Sequence, residues 1–273
     1  MSKIIFFGNQ KLVQGIKPHV TPITDILEQA GHQILATITT KSDLAVLPSL
    51  KKAHPEAIGV LASFGYIVPG SVIALFEPLG ILNIHPSLLP KYRGSTPIET
   101  AILNGDSETG ISIMKIATAM DAGPIYSQTT CPITPVDDKF TLSEKLTTLG
   151  AKSLLDVLAH PKSLPTPQTG TPTYTEKLDK SIAILDPKSK SATQLDREIR
   201  AFLGFPKSKL TLLGLSCTIT KAHTSPTQVT PLDQKCTDEA YLVIDTLIPE
   251  GRKEMSATAF LHGYGIHRET PLL

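Results

Sequence analysis

Cysteine is scarce in this 273-residue chain. Cys131, Cys217 and Cys236 are an odd number with no C-x-x-C pair, which argues against a disulfide framework or a zinc site and fits a reducing cytoplasm. No apolar run approaches the length that spans a bilayer, and Met1-Ser2-Lys3 lead directly into an apolar segment too short for a signal-peptide core, so a soluble, cytoplasmic protein is expected. Charge of one sign is lacking too. The 26 Lys and Arg nearly balance the 25 Asp and Glu, so any basic binding surface must come from local placement and not from net excess. The first turn has no G-x-G-x-x-G, because Gly8 and Gly15 are the only glycines before Gly31, and a dinucleotide pyrophosphate has no evident cradle. No internal repeat or low-complexity tract is present to suggest an array.

What is present is ordinary globular composition, 41% hydrophobic and 19% charged, in a chain long enough for two domains. Ile4 to Phe7 reads as a buried parallel strand. Ile23, Ile26, Leu27 and Ala30 recur at helical spacing up to Gly31, and Ile34 to Ile38 reads as the next strand. Ser42 to Ala53 reads as a short helix broken near Pro48, and Ile58 to Ala62 as another buried strand. Pro97 to Leu103 begins with proline at a favoured helical start, Ile111 to Ile116 has strand character, the loop Ala119 to Pro124 leads into Ile125 to Gln128, and Thr141 to Leu158 carries a leucine-rich helical stripe. After the proline-rich connector Pro161 to Pro172, a helix over Ser191 to Phe202 precedes strand-like runs at Leu210–Leu213, Ser216–Thr220 and Tyr241–Asp245, and Met255 to His262 reads as helical. The expectation is an α/β N-terminal domain over 1–180, with a Rossmann-like, predominantly parallel sheet and flanking helices, and a small C-terminal β-barrel-like domain of OB type over 181–273.

The chain is organised around Ile81 to Gly94. Asn83 and His85 are two apart in a strand-like run, so they project from one face, while Leu82 and Ile84 project from the other. Pro86 cannot donate a ladder hydrogen bond, so the strand should stop at the histidine, at the sheet edge where ligands bind in parallel α/β folds. Asn donates an amide N–H and protonated His donates from either ring nitrogen, so the pair could stabilise a negative oxygen on an attacked carbonyl. Asp121, in the loop Ala119 to Pro124, could orient the imidazole and stabilise its charged form.

With Asn83-Ile84-His85-Pro86-Ser87-Leu88-Leu89-Pro90, Arg93-Gly94-Ser95-Thr96-Pro97 and Met120-Asp121-Ala122-Gly123 in view, the chain resembles the formyl-tetrahydrofolate-dependent formyltransferase family. The resemblance implies Asn83, His85 and Asp121 as catalytic residues, 10-formyltetrahydrofolate as formyl donor, and no metal. It also implies a folate pocket built from Ser63, Phe64, Gly65, Tyr66 and Ile67, from Ser87, Leu88, Leu89 and Pro90, and from the loop before Asp121. Thr173 to Leu178 and Gly251 to Ala257 resemble those members that formylate methionyl-tRNA for translation initiation, which implies initiator methionyl-tRNA as acceptor, a tRNA-binding C-terminal domain and a monomeric enzyme. Amino-sugar nucleotides, or water in a hydrolase, are the rival acceptors. Such members carry a basic insertion after the second strand and a further strand, where this chain has only Thr39 to Ala57, and Phe205-Pro206 stands where a tryptophan-bearing turn is usual. Lys207, Lys209, Arg252 and Lys253 are the expected phosphate contacts. A free α-amino group has a pKa near about 8, so no strong base is needed at neutral pH, and either Asp121 or a bound water is a candidate to take the proton after attack.

Overall fold

The computed structural model describes residues 1–8, 21–160 and 163–264. Asn9 and Gly15 of the first turn, and Pro161 of the connector, lie outside the described residues. Two compact units are present, Met1–Ala101 with Asp106–Lys177, and Ile102–Gly105 with the chain from Leu178 onward.

In the first unit, six strands form one sheet in the order β2-β1-β3-β4-β5-β6. They are β1 (Lys3–Gly8), β2 (Gln33–Ile38), β3 (Ile58–Ala62), β4 (Ile81–His85), β5 (Glu108–Lys115) and β6 (Ile125–Pro132). The first four run parallel, and β5 and β6 add an antiparallel pair at one side, so the sheet is predominantly parallel as expected. Segment 39–57 holds a 3-10 turn (Ser42–Val46) and helix α2 (Leu47–Ala53) and contains no strand. Helices α1 (Ile23–Gln29), α3 (Gly70–Ala74), α4 (Pro97–Asn104) and α5 (Lys139–Ala159) complete this unit's elements, the residues of α4 from Ile102 on being counted with the second unit.

Both faces of the central strands are covered, which is why they read as continuous apolar runs and do not alternate. On one face Ile5, Phe7, Leu61 and Ile81 pack with Leu47 of α2, Val72 of α3, Phe64 and Phe76. On the other lies α5, whose approach is set by Gly150: a Cβ there would stand 2.7 Å from Cγ2 of Ile84. Helix α5 starts two residues earlier than its leucine stripe indicates because Asp138 caps it. The Asp138 carboxylate accepts from the N–H groups of Phe140 and Thr141, both at 2.8 Å, and Thr141 Oγ1 accepts from Asp138 N–H at 2.9 Å. This reciprocal box contributes about 1 kcal/mol. Strand β6 runs on past Gln128 to Pro132 because β5 supplies partners as far back as Glu108.

The second unit contains α6 (Ala192–Ala201), β7 (Lys209–Leu212), β8 (Leu215–Ser225), β9 (Gln234–Lys235), β10 (Tyr241–Pro249), β11 (Met255–Ser256) and α7 (Ala257–Tyr264). Its strands form an antiparallel half-barrel in the order β11-β10-β8-β7, with β9 also on β10. Register shifts between Ile244 and Leu247 bend β10. Leu195 and Ile199 of α6 close the core against Ile219, Leu242, Leu247 and Phe260. Met255 and Ser256 pair with Leu247 and Thr246 as strand, where sequence periodicity had joined them to the helix, because cross-strand pairing outweighs a local helical preference.

The closeness of α5 to β4 makes Gly150 intolerant of a side chain. Gly150→Val is expected to destabilise the protein by about 1–3 kcal/mol, the range for overpacking a well-filled interface. Urea unfolding should show a lowered midpoint, and an unchanged one would mean that α5 moves away freely.

Candidate active site

Strands β1, β3 and β4 end at one edge, with Gly8 opposite Ala62 and Leu61 opposite Asn83. Asn83 and His85 therefore arrive together on the face that carries Ile81, beside the loop Ser63–Ile67 into which β3 runs. Both side chains are about 95% buried. Among the described residues nothing hydrogen-bonds the Asn83 carboxamide, which leaves its N–H and carbonyl groups for a ligand.

His85 is held at one nitrogen and open at the other. Its Nε2 lies 2.9 Å from the carbonyl oxygen of Tyr92, which can only accept, so Nε2 carries the proton. Nδ1 faces the Asp121 carboxylate at 3.8 Å, an ion-pair distance longer than a hydrogen bond. Burial pushes the imidazole pKa below its ordinary value, against the opposite pull of Asp121 and of the Tyr92 carbonyl. The ring is accordingly neutral at pH 7, with a lone pair on Nδ1. The expectation that either nitrogen could donate is narrowed to Nδ1, and only after it gains a proton.

Asp121 adopts φ +48°, a left-handed conformation uncommon for a residue with a Cβ. Its Oδ2 accepts from the backbone N–H of Gly94 at 2.8 Å. Gly94 has φ +119°, and a Cβ there would collide with Thr175 Oγ1, so glycine is required where that N–H is presented. The turn itself is laced to residues 173–176. Arg93 N–H donates to the Thr173 carbonyl and Thr175 N–H to the Arg93 carbonyl, both at 2.8 Å, while Thr96 Oγ1 donates to the Glu176 carbonyl at 2.7 Å.

A row of polar side chains supports the turn after β4. His85 is opposite Ser112 of β5, and Ser112 is opposite Gln128 of β6. Ser112 Oγ donates to the Ser87 carbonyl at 2.7 Å and accepts from Leu89 N–H at 3.0 Å, and Gln128 Nε2 donates to Ser112 Oγ and to the Leu89 carbonyl. Sequence reading missed Ser112, Gln128 and Gln168, because their roles arise from strand register and chain crossing and no local motif announces them.

The expected folate residues separate into two groups. Phe64 is buried edge-on against Phe7, and Leu89 and Ser87 are buried within the turn, Ser87 Oγ donating to the Lys91 carbonyl. Tyr66 and Ile67 are exposed, 51% and 90%, with Ser63 and Gly65 also open and Leu88 and Pro90 half-buried. In the second unit Lys207, Lys209, Arg252 and Lys253 are all exposed and, among the described residues, make no ion pair. Lys209, Thr218 and Ile248 stand in one row across β7, β8 and β10; Lys207 precedes β7, and Arg252, whose N–H bonds back to the Pro249 carbonyl, and Lys253 lie in the turn between β10 and β11. Among the described residues no cluster of three or more His, Cys, Asp or Glu is arranged to hold a metal ion.

Residues 7–158 match the family described as Formyl transferase. The chain belongs to the formyl transferase family. It is 33% identical over 269 residues to a methionyl-tRNA formyltransferase of Thermus thermophilus, covering 95% of this chain and 87% of that protein. To the methionyl-tRNA formyltransferase of Methylobacillus flagellatus it is 36% identical over 263 residues, covering 92% and 84%. Among solved structures, a methionyl-tRNA formyltransferase from Clostridium thermocellum superposes with a TM-score of 0.66 at 15% identity, covering 89% of this chain and all of that one. HypX from Aquifex aeolicus in complex with tetrahydrofolic acid gives 0.73 at 15% identity over 97% of this chain, which spans 47% of that longer protein.

Because Asp121 raises the proton affinity of His85, its loss should lower that affinity further. In Asp121→Asn the His85 ring resonances, followed by NMR against pH, should titrate at lower pH than in the parent. A titration unmoved or moved upward would show that the 3.8 Å pair carries no electrostatic coupling.

Proposed function

We propose that this formyltransferase moves the formyl group of 10-formyltetrahydrofolate to the α-amino group of initiator methionyl-tRNA, with Asn83, His85 and Asp121 as its catalytic residues. The observation that carries the reading is the convergence of these three side chains at one sheet edge, in a chain that aligns along most of its length with methionyl-tRNA formyltransferases. The site suits a flat, hydrogen-bonding donor. A carboxamide without a hydrogen-bond partner among the described residues, an exposed Tyr66 and Ile67, and the open backbone of Ser63 and Gly65 provide polar and apolar contacts.

The donor supplies a formyl carbon bonded to a folate nitrogen. As the amine adds to that carbon, the Asn83 N–H donates to the oxygen that gains negative charge. Neutral Nδ1 of His85 takes the proton that the amine must lose, and the Asp121 carboxylate stabilises the imidazolium so formed. Protonated Nδ1–H then becomes a second donor, and it returns the proton to the folate nitrogen as the old carbon–nitrogen bond breaks. One C–N bond forms, one breaks, and one proton passes between the two nitrogens. Tyr92 keeps Nε2 engaged throughout, so the ring works through one atom.

Labelled formyl transfer to methionyl-tRNA, to amino-sugar nucleotides and to water, measured side by side, tests the acceptor. Formyl-methionyl-tRNA as main product is expected, and transfer to a sugar alone or release as formate alone would overturn the reading. In the same assay Asn83→Ala should lower kcat by about 10²–10³, the usual loss for one such donor.

Lys207, Lys209, Arg252 and Lys253 contribute the phosphate contacts. Joint replacement by Ala should weaken tRNA binding at low salt and flatten the dependence of log K on log salt by about 3, from roughly 0.7–0.9 per phosphate contact. An unchanged slope would assign tRNA binding to another surface.

A further inference from the structure

Gln168 stands in the proline-rich connector, and every hydrogen-bonding position of its carboxamide is engaged in one place. Oε1 accepts from Arg93 Nε at 3.2 Å and Nη2 at 2.6 Å, while Nε2 donates to the carbonyl oxygens of Asp121 at 2.7 Å and Gly123 at 2.9 Å. Two N–H groups meet two carbonyls, and one carbonyl meets one guanidinium, so no group on this side chain is left over. The bridge spans three separate stretches of chain, the connector, the turn after β4 and the loop before β6.

The Asp121 loop needs such a tie. Its left-handed backbone is disfavoured for a residue with a Cβ and persists only where the surroundings over-determine it. Those surroundings are now visible. The carboxylate is held by Gly94 N–H, the carbonyl two bonds from its Cα is held by Gln168, and Gly123 presses so closely on the Lys115 carbonyl that a side chain there would collide with it. Arg93 and Gly94 are adjacent, so Gln168 and Gly94 fix the two ends of Asp121 against the same turn.

We propose that Gln168 is a positioning residue for Asp121, setting the carboxylate beside Nδ1 of His85 by tying the Asp121 carbonyl to Arg93. The proposal rests on the reading that Asp121 and His85 act in formyl transfer, and its decisive readout does not require that activity. His85 Nδ1 faces Asp121, and its Nε2 faces the neutral Tyr92 carbonyl; among the described residues Asp121 is the charged group that acts on the ring. A carboxylate released from its place therefore lowers the pH at which His85 titrates.

The test uses Gln168→Met, close in volume and uncharged, with Gln168→Ala as a second variant should the first fold poorly, each in the parent and in the Asp121→Asn background. The expected result is a His85 titration shifted downward in the same direction as Asp121→Asn but by less. That shift should vanish when Asp121 is already Asn, and kcat should fall about ten- to a hundredfold, with the KM for either substrate nearly unchanged. A downward shift that persists in the Asp121→Asn background would place the effect on the freed Arg93 and overturn the proposal. So would lowered thermal stability with an unmoved titration, which is the signature of a purely structural bridge. Should the parent transfer no formyl group to any acceptor, the functional reading falls while the titrations still decide the role of Gln168.

Discussion

The site depends on one constraint, a histidine buried at the end of a strand with one nitrogen tied to a backbone carbonyl. Burial lowers the proton affinity of His85, and the Tyr92 carbonyl decides which nitrogen is left bare. Had the ring been exposed it would lack the desolvation that lowers its proton affinity, and had Nε2 been free the proton could sit on either nitrogen. The same burial requires β4 to be covered on both faces, by the apolar cluster around Phe7 and Phe76 on one side and by α5 at Gly150 on the other. The chemistry of one nitrogen is thus underwritten by the packing of the sheet.

Much of this was legible in the residues. The alternation in Ile81 to His85 placed Asn83 and His85 on one face, and Pro86 marked where the strand stops, because side-chain period and missing donors are local properties. Phe64 was harder. The resemblance names it together with Tyr66 and Ile67, and what the motif does not show is that its ring is buried edge-on against Phe7 while Tyr66 and Ile67 are exposed. Local pattern reports that an aromatic lies at a strand end, and only the third dimension reports which way it turns. Ser112, Gln128 and Gln168 were invisible for a related reason. Ser112 and Gln128 reach the turn through two antiparallel registers, and Gln168 reaches Asp121 across 47 positions of chain, and neither relation leaves a periodic trace.

Charge offered a parallel lesson in the second unit. A near-balance of acidic and basic residues says nothing of local placement, whereas Lys207 and Lys209 stand at the start of β7 and Arg252 and Lys253 in the turn after β10, all four exposed and, among the described residues, without an ion pair. Net charge reports a sum, and only the fold reports where along the surface the charges are presented.

The lacing of residues 173–176 onto the turn at Pro90–Thr96 has a consequence for how the molecule comes into being. The family match ends at residue 158, but the braces of the site, Gln168 and Thr173 to Glu176, lie beyond it. On the ribosome, the sheet can assemble once β6 and α5 have emerged, yet the turn carrying Gly94 has no outer support until the connector follows. The stitching around Asp121 is therefore supplied by chain that lies after the recognised domain, and the structural unit around that turn extends past the boundary that the family match draws.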